Sequence, residues 1–176
     1  MATTIENIYD KEYHRESFNK SYAGDEIVKS KVIDRNRYSR YLNGLVNDFE
    51  SEDPKDRAHC KWKAKKRKFT IAYDSVTGNR YLEGPCTFMK KKSRGPVVCF
   101  EDFFDKIYGI HVETQNHSGG RKVQYGLYQL YSGIPRSAIE LFIRLCTVCN
   151  LRAKNNNIAT LNPIKYIICF TSFVLL

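Results

Sequence analysis

Residues 100–154 read FEDFFDKIYGIHVETQNHSGGRKVQYGLYQLYSGIPRSAIELFIRLCTVCNLRAK, and how this stretch folds decides the rest. Phe100, Phe103, Phe104 and Ile107 recur at i, i+3, i+4 and i+7, the spacing of one face of an α-helix. Glu101 and Asp102 put negative charge in its first turn, where the helix dipole favours it. The pattern predicts an amphipathic helix ending near His111, which falls four residues after Ile107 on the buried stripe. Residues 113–120 are polar and end in a Gly pair, so His117 is expected on a loop. Val123, Leu127, Leu130 and Tyr131 mark a second helical face, closed by Ser132 and Gly133. A third helix starts either with Pro135 at its first position or two residues later, where Ser137 and Glu140 form a capping box. Ile139, Phe142 and Ile143 supply its inner face, and its C-terminal end delivers Cys146 and Cys149 as a knuckle of two thiols.

Two imidazoles followed, one helical hairpin later, by Cys-x-x-Cys are the ligand types and number of a closed tetrahedral zinc site. Each half alone has an ordinary explanation, because cysteines serve as small buried residues and a histidine on an apolar helix face is commonly core. The joint pattern is stronger, since each half lies at the end of a predicted helix. His111, His117, Cys146 and Cys149 are therefore expected to hold one structural Zn2+. Three short helices bury little apolar surface by themselves, and structural zinc sites in small modules supply roughly 10–16 kcal/mol of apparent binding energy.

At these residues the chain resembles a known family. His111-x5-His117-Ser-Gly-Gly-Arg, Tyr131-x2-Ile-Pro-Arg and Phe142-x3-Cys146-x2-Cys149 are similar to the HHCC zinc-binding domain of retroviral and gypsy-type retrotransposon integrases. The segment Glu101-Asp-Phe-Phe-Asp-Lys-Ile-Tyr108 brings the likeness closer to integrase-like proteins of DNA transposons and their domesticated relatives, such as KRAB-A domain-containing proteins. The five-residue gap between the histidines departs from the shorter retroviral spacing. The likeness covers residues 100–154 and is weaker upstream. It implies a DNA-integration context and a nuclear location.

The fold class expected is α+β: a small helix-plus-strand module followed by the three-helix HHCC module. Residues 1–30 mix Tyr, Lys and acids without a clear period and are read as a loosely ordered arm, either a loosely held helix or a frayed segment. Residues 31–95 form the N-terminal extension, with a helical face at Tyr38, Tyr41, Leu42, Leu45 and Phe49. Asp53-Pro54 reads as an N-cap followed by proline, opening a helix that carries Ala58 and Trp62. Residues 69–73 and 80–82 read as a hairpin around Thr77-Gly-Asn79, and residues 96–99 as a further strand. The zinc module takes residues 96–154, and residues 155–176 are a linker and an apolar tail.

The 176 residues hold 29 Lys and Arg against 19 Asp and Glu, a formal charge of +10 that points to an anionic partner. Lys61, Lys63, Lys65, Lys66, Arg67 and Lys68 surround Trp62; Lys90, Lys91, Lys92 and Arg94 form a second cluster; Arg121 and Lys122 follow His117. A solvated face or a nuclear-import signal accounts for such runs, and so does contact with nucleic-acid phosphates, which releases counterions and reads little sequence. DNA is the partner expected, through its backbone. No basic-then-apolar leader opens the chain, and its six cysteines lack the regular spacing of a secreted disulfide scaffold. Cys60, Cys86, Cys99 and Cys169 carry no assigned role.

Integrases follow the zinc module with a core of three metal-binding carboxylates. Here the acids after Asp105 are Glu113 and Glu140, and residues 166–176 run apolar, so the sequence reads as truncated before that core. No catalytic residue is assigned, because a four-ligand metal site leaves no open position for chemistry. The competing reading is a self-association or protein-interaction module that uses Tyr125, Tyr128 and Leu141.

Overall fold

The computed structural model describes residues 10–23, 32–50, 53–88 and 91–153. Its order is α1 (Lys11–Ala23), α2 (Arg35–Val46), α3 (Pro54–Arg67), a three-stranded sheet, and then a run of short helices. The strands β1 (Thr70–Tyr73), β2 (Arg80–Phe88) and β3 (Lys91–Pro96) are antiparallel in the order β1-β2-β3. A 3₁₀ turn (Phe100–Asp102) leads into α4 (Phe103–Tyr108), a π-helical turn (Gly109–Thr114), α5 (Gly120–Leu130) and α6 (Arg136–Leu145), with a last helix, α7, over residues 147–153. The fold is mixed α+β, as the alternation of helical and strand periods implies.

Two apolar cores hold it together. The first gathers Phe18 and Tyr22 from α1, Phe103, Phe104 and Ile107 from α4, Val123 and Leu127 from α5, and Ile139 and Phe142 from α6. The second joins Tyr41, Phe49, Cys60, Ala64 and Leu82. Neighbouring residues divide between them: Val32 and Val98 enter the first core, Ile33 and Val97 the second. Both segments are extended there, so successive side chains point to opposite sides. Backbone bonds fasten the junction, from Val97 N–H to Leu82 O at 2.8 Å, Val98 N–H to Ser132 O at 2.9 Å and Phe100 N–H to Ile33 O at 2.8 Å.

Local chemistry sets the helix ends. Asp34 caps α2 by accepting the Arg37 N–H at 2.7 Å, while Glu101 accepts the Arg35 N–H at 3.1 Å, so the first turn of α2 is tied to the 3₁₀ turn. Asp53 accepts the Lys55 N–H at 2.9 Å and Pro54 takes the first helical position of α3. In the β1–β2 turn, Asp74 accepts the Thr77 N–H at 2.7 Å, the Thr77 hydroxyl at 2.9 Å and the Val76 N–H at 3.0 Å, and these bonds hold its carboxyl below the ordinary value.

Several expectations need correction. Residues 11–23 take the helical alternative but are not loosely held: Phe18, Tyr22 and His14 of α1 are buried against α4 and α6. Helix α3 does carry Ala58 and Trp62, but on its outer side: the inward residues are Cys60 and Ala64, Ala58 is exposed and Trp62 is 54% exposed. The third strand covers Lys91–Pro96 rather than residues 96–99, of which Val97 makes only a single parallel bridge to Ser132. Its composition is poor in strand formers, and its place comes from pairing with β2. Gly84 and Gly95 are register partners there, and α5 ends directly over them. A Cβ on Gly95 would lie 2.6 Å from Leu130 O, and one on Gly84 2.6 Å from Ser132 Oγ. Helix α5 stops before Tyr131, and Leu130 is half exposed rather than on the inner face. Helix α6 begins at Arg136 with neither proposed start: Pro135 occupies the N-cap without a side-chain cap, and Glu140 pairs with Arg136 at 2.6 Å. The expectations for residues 1–9 and 155–176 lie outside the described residues.

Candidate metal centre

His111 comes from the π turn. The chain continues α4 without a break, then widens: Gln115 N–H bonds Ile110 O at 3.1 Å and the Thr114 hydroxyl bonds Gly109 O at 2.8 Å, both five residues back. His111 is fully buried, as its place on the Ile107 stripe predicts, with its ring edge-on to Phe142 at 5.6 Å between centroids. Asn116 and His117 then adopt left-handed backbone, φ 44° and 59°. Those two residues fold the loop back so that His117 N–H bonds His111 O at 2.7 Å. This return explains how the long interval between the histidines still brings both rings together, 5.1 Å between centroids and nearly perpendicular at 88°.

Cys146 is the C-cap of α6, its N–H bonding Phe142 O at 3.1 Å and Ile143 O at 3.2 Å. Its extended backbone ends the helix, and α7 starts at once, with Asn150 N–H bonding Cys146 O at 3.0 Å. Cys149 thus sits in the first turn of α7, not on the end of α6 as the sequence implied. The break turns both thiols inward.

The four side chains converge. Cys146 Sγ lies 3.3 Å from His117 Nδ1 and Cys149 Sγ lies 3.4 Å from His111 Nε2. All four candidate ligand atoms fall within 4.8 Å of one another. A tetrahedral zinc with Zn–S near 2.3 Å and Zn–N near 2.0–2.1 Å would separate S from N by about 3.5 Å, so the quartet has the dimensions of that polyhedron. His111 and Cys146 are buried, while His117 and Cys149 are partly exposed, which leaves the quartet near the surface on one side. A hydrogen bond from Cys149 pushes the Cys146 thiol down to about 3, with His111 assisting, and the same bond together with burial pushes Cys149 up. The lowering at Cys146 runs in the direction a metal needs of its cysteine ligands, which bind as thiolates. His111 Nδ1 is buried and has no hydrogen-bond partner among the described residues, so packing against Phe142 orients this ring. The donor set, its number and its spacing fit a closed four-ligand metal site.

The basic residues are distributed over three elements. Lys65, Lys66 and Lys68 are exposed at the end of α3, while Lys61 pairs with Asp48 at 2.7 Å and Lys63 and Arg67 are partly covered. Arg94 departs from the expected phosphate-facing role, for its guanidinium bonds Glu83 at 2.7 Å, Lys68 O at 3.0 Å and the Thr70 hydroxyl, cross-bracing all three strands. Lys91 and Lys92 lie in β3 opposite Phe88 and Thr87, and Lys90 lies outside the described residues. Arg121 and Lys122 are exposed in the first turn of α5, close in sequence to His117. Tyr128 and Leu141 pack against the first core, which leaves the expected interaction surface largely occupied; Tyr125 is 39% exposed.

Sequence comparison points to a different similarity from the one the motifs suggested. It is similar to Nucleolar protein 4. Identity to the mouse (Mus musculus) protein is 29% over 147 residues, covering 73% of this chain and 30% of that protein. Identity to the human (Homo sapiens) protein is 30% over 147 residues, covering 73% of this chain and 23% of that one. The chain thus spans less than a third of the length of either relative. No family model and no solved structure matches. The integrase resemblance is corrected on this finding, and the DNA-integration context, transposable-element origin and truncation before a catalytic core go with it. The self-association reading gains no support either. The four donors remain compatible with a metal site, since unrelated folds arrive at the same donor set.

Proposed function

We propose that the chain is a zinc-fastened, noncatalytic module that contacts the phosphate backbone of nucleic acid in the nucleus. The reading rests on the convergence of His111, His117, Cys146 and Cys149, whose four donors complete a coordination shell and leave no position for substrate. His117 and Cys149 would close the shell on its partly exposed side, His111 and Cys146 from within. Bound zinc would supply folding energy to helices α4 to α7.

The nucleic-acid part is supported by the formal charge of +10 and by exposed Lys65, Lys66, Lys68, Arg121 and Lys122. The compartment is supported by the relatives' name, which places them in the nucleolus. The cations address phosphates common to RNA and DNA, and DNA is retained as one of the two probes.

Two measurements test the proposal. The purified chain should carry one zinc per molecule, and Cys146→Ser should lose it. Affinity for a 20-nucleotide RNA or DNA should fall linearly in log–log form with salt, each phosphate contact contributing about 0.7 to the slope for a single strand and about 0.9 for duplex DNA. A metal-free chain that keeps its fold, or binding indifferent to salt, would overturn it.

A further inference from the structure

Trp62 is the one tryptophan of the chain and stands in the most basic stretch, yet it is 54% exposed. Helix α3 turns Cys60 and Ala64 into the second core, and Trp62 falls on the opposite side, together with exposed Lys55, His59 and Lys66. The His59 ring lies nearly parallel to the indole, at 20° and 6.2 Å between centroids, and Lys66 Nζ stands 4.6 Å from the indole centroid. The acids of α3 are committed elsewhere: Asp53 caps the helix and Asp56 pairs with Arg40 at 3.2 Å. A large indole held in water is unfavourable for folding. What remains is an aromatic surface framed by cations.

Lys66 also belongs to a second feature. At the end of α3 an open groove of about 460 Å³ has Lys66, Arg67, Lys68 and Phe69 in its lining, together with Pro85 and Ser132. Its size is that of a small-ligand cleft, and Lys66, the residue beside the indole, is part of its lining.

We infer that Trp62 is a stacking platform for an unpaired base of single-stranded nucleic acid, with the backbone running past Lys66 toward the groove beside Arg67 and Lys68. Stacking suits any base, because every base has a π-face, and the surrounding ammonium groups take the phosphates. A duplex hides its base faces and offers the indole nothing but an end. The inference rests on the nucleic-acid reading above and goes further, naming strandedness and the residue that senses it.

The test uses the zinc-loaded full chain, whose emission on tryptophan excitation comes from Trp62 alone. A single-stranded 12-nucleotide RNA should quench that emission on binding, and a duplex of equal length should bind without comparable quenching. Trp62→Leu should weaken single-strand binding roughly ten-fold, with Trp62→Phe recovering most of it. Both variants should keep the parent's far-ultraviolet circular dichroism, since the indole lies outside the core. Lys66→Gln with Lys68→Gln should lower the salt slope. Binding without quenching, unaffected by Trp62→Leu, would overturn the platform while leaving the backbone reading intact. Absence of binding to any strand at low salt would overturn both, and equal quenching by polyglutamate would reduce the site to a general anion surface and overturn the platform.

Discussion

His14 Nε2 lies 2.9 Å from the carbonyl oxygen of Phe142, the oxygen that also accepts the N–H of Cys146 at 3.1 Å. A carbonyl has two lone pairs, and here one receives a bond from α1 while the other receives the first N–H beyond α6. The N-terminal helix therefore reaches the backbone that aims a metal ligand. His14→Leu should cost about 1–2 kcal/mol, the range for losing a buried hydrogen bond and its ring contacts. Urea unfolding of zinc-loaded protein checks this, and an unchanged midpoint would deny the link.

The same imidazole predicts a pH dependence. Burial lowers its pKa from 6.5, the bond to Phe142 only partly opposing that shift. A base depressed in the folded state binds fewer protons folded than unfolded, so its contribution is complete above about pH 6.5 and is lost as pH falls below it. The stability gap between the parent and His14→Leu should narrow between pH 7.5 and 5.5. Charge on Cys146, His111 and His117 also acts on this ring, so the two curves are compared at saturating zinc, and parallel curves would refute the assignment.

Chelation should unfold more than the site. Apparent zinc energies of about 10–16 kcal/mol match or exceed the whole net stability of a typical domain, roughly 5–15 kcal/mol. Added chelator should abolish the cooperative thermal transition, and restored zinc should return it. His111→Ala should be worse than His117→Ala, because the first also leaves a hole in the core while the second lies near solvent.

Gly95→Ala should destabilise by about 1–3 kcal/mol, the range for overpacking. Its Cβ would meet Leu130 O at 2.6 Å and Cys86 Sγ at 3.1 Å, and a backbone oxygen at the end of a helix cannot rotate aside. Gly120→Ala is the control: its nearest contact is Ile143 Cδ1 at 3.4 Å, and alanine favours the helix. Equal thermal midpoints for the two variants would rule out the close approach of α5 to the sheet.

Arg94→Gln and Lys65→Gln should differ in kind. Removing Arg94 loosens the sheet, a loss of about 1 kcal/mol in stability after discounting for its partial exposure, and leaves the salt dependence of nucleic-acid binding alone. Removing Lys65 should do the reverse. A parallel series of denaturation and salt titrations separates them.

How much of this was legible follows from particular residues. The metal quartet could be read because ligand chemistry requires those side chains whatever surrounds them. The N-cap pair Asp53-Pro54 and the β1–β2 hairpin were legible because a cap and a turn are decided within a few residues. The firm packing of α1, read only as a loose helix or arm, was not legible although His14, Phe18 and Tyr22 stand four apart, because a histidine does not count as apolar until a carbonyl is found for it. Which face of α3 turns inward was not legible from size: the small residues Cys60 and Ala64 go inside, where α2 packs close, and Trp62, the largest, goes out. Strand β3 has no strand-like composition, and the π turn depends on bonds five residues apart that no local propensity records. The family resemblance failed for a related reason, since donor spacing records what binds and not descent.

The division of Val97 and Val98 between two cores has a mechanical result. A segment gripped from both sides cannot serve as a hinge, for any swing would pull one valine from its socket.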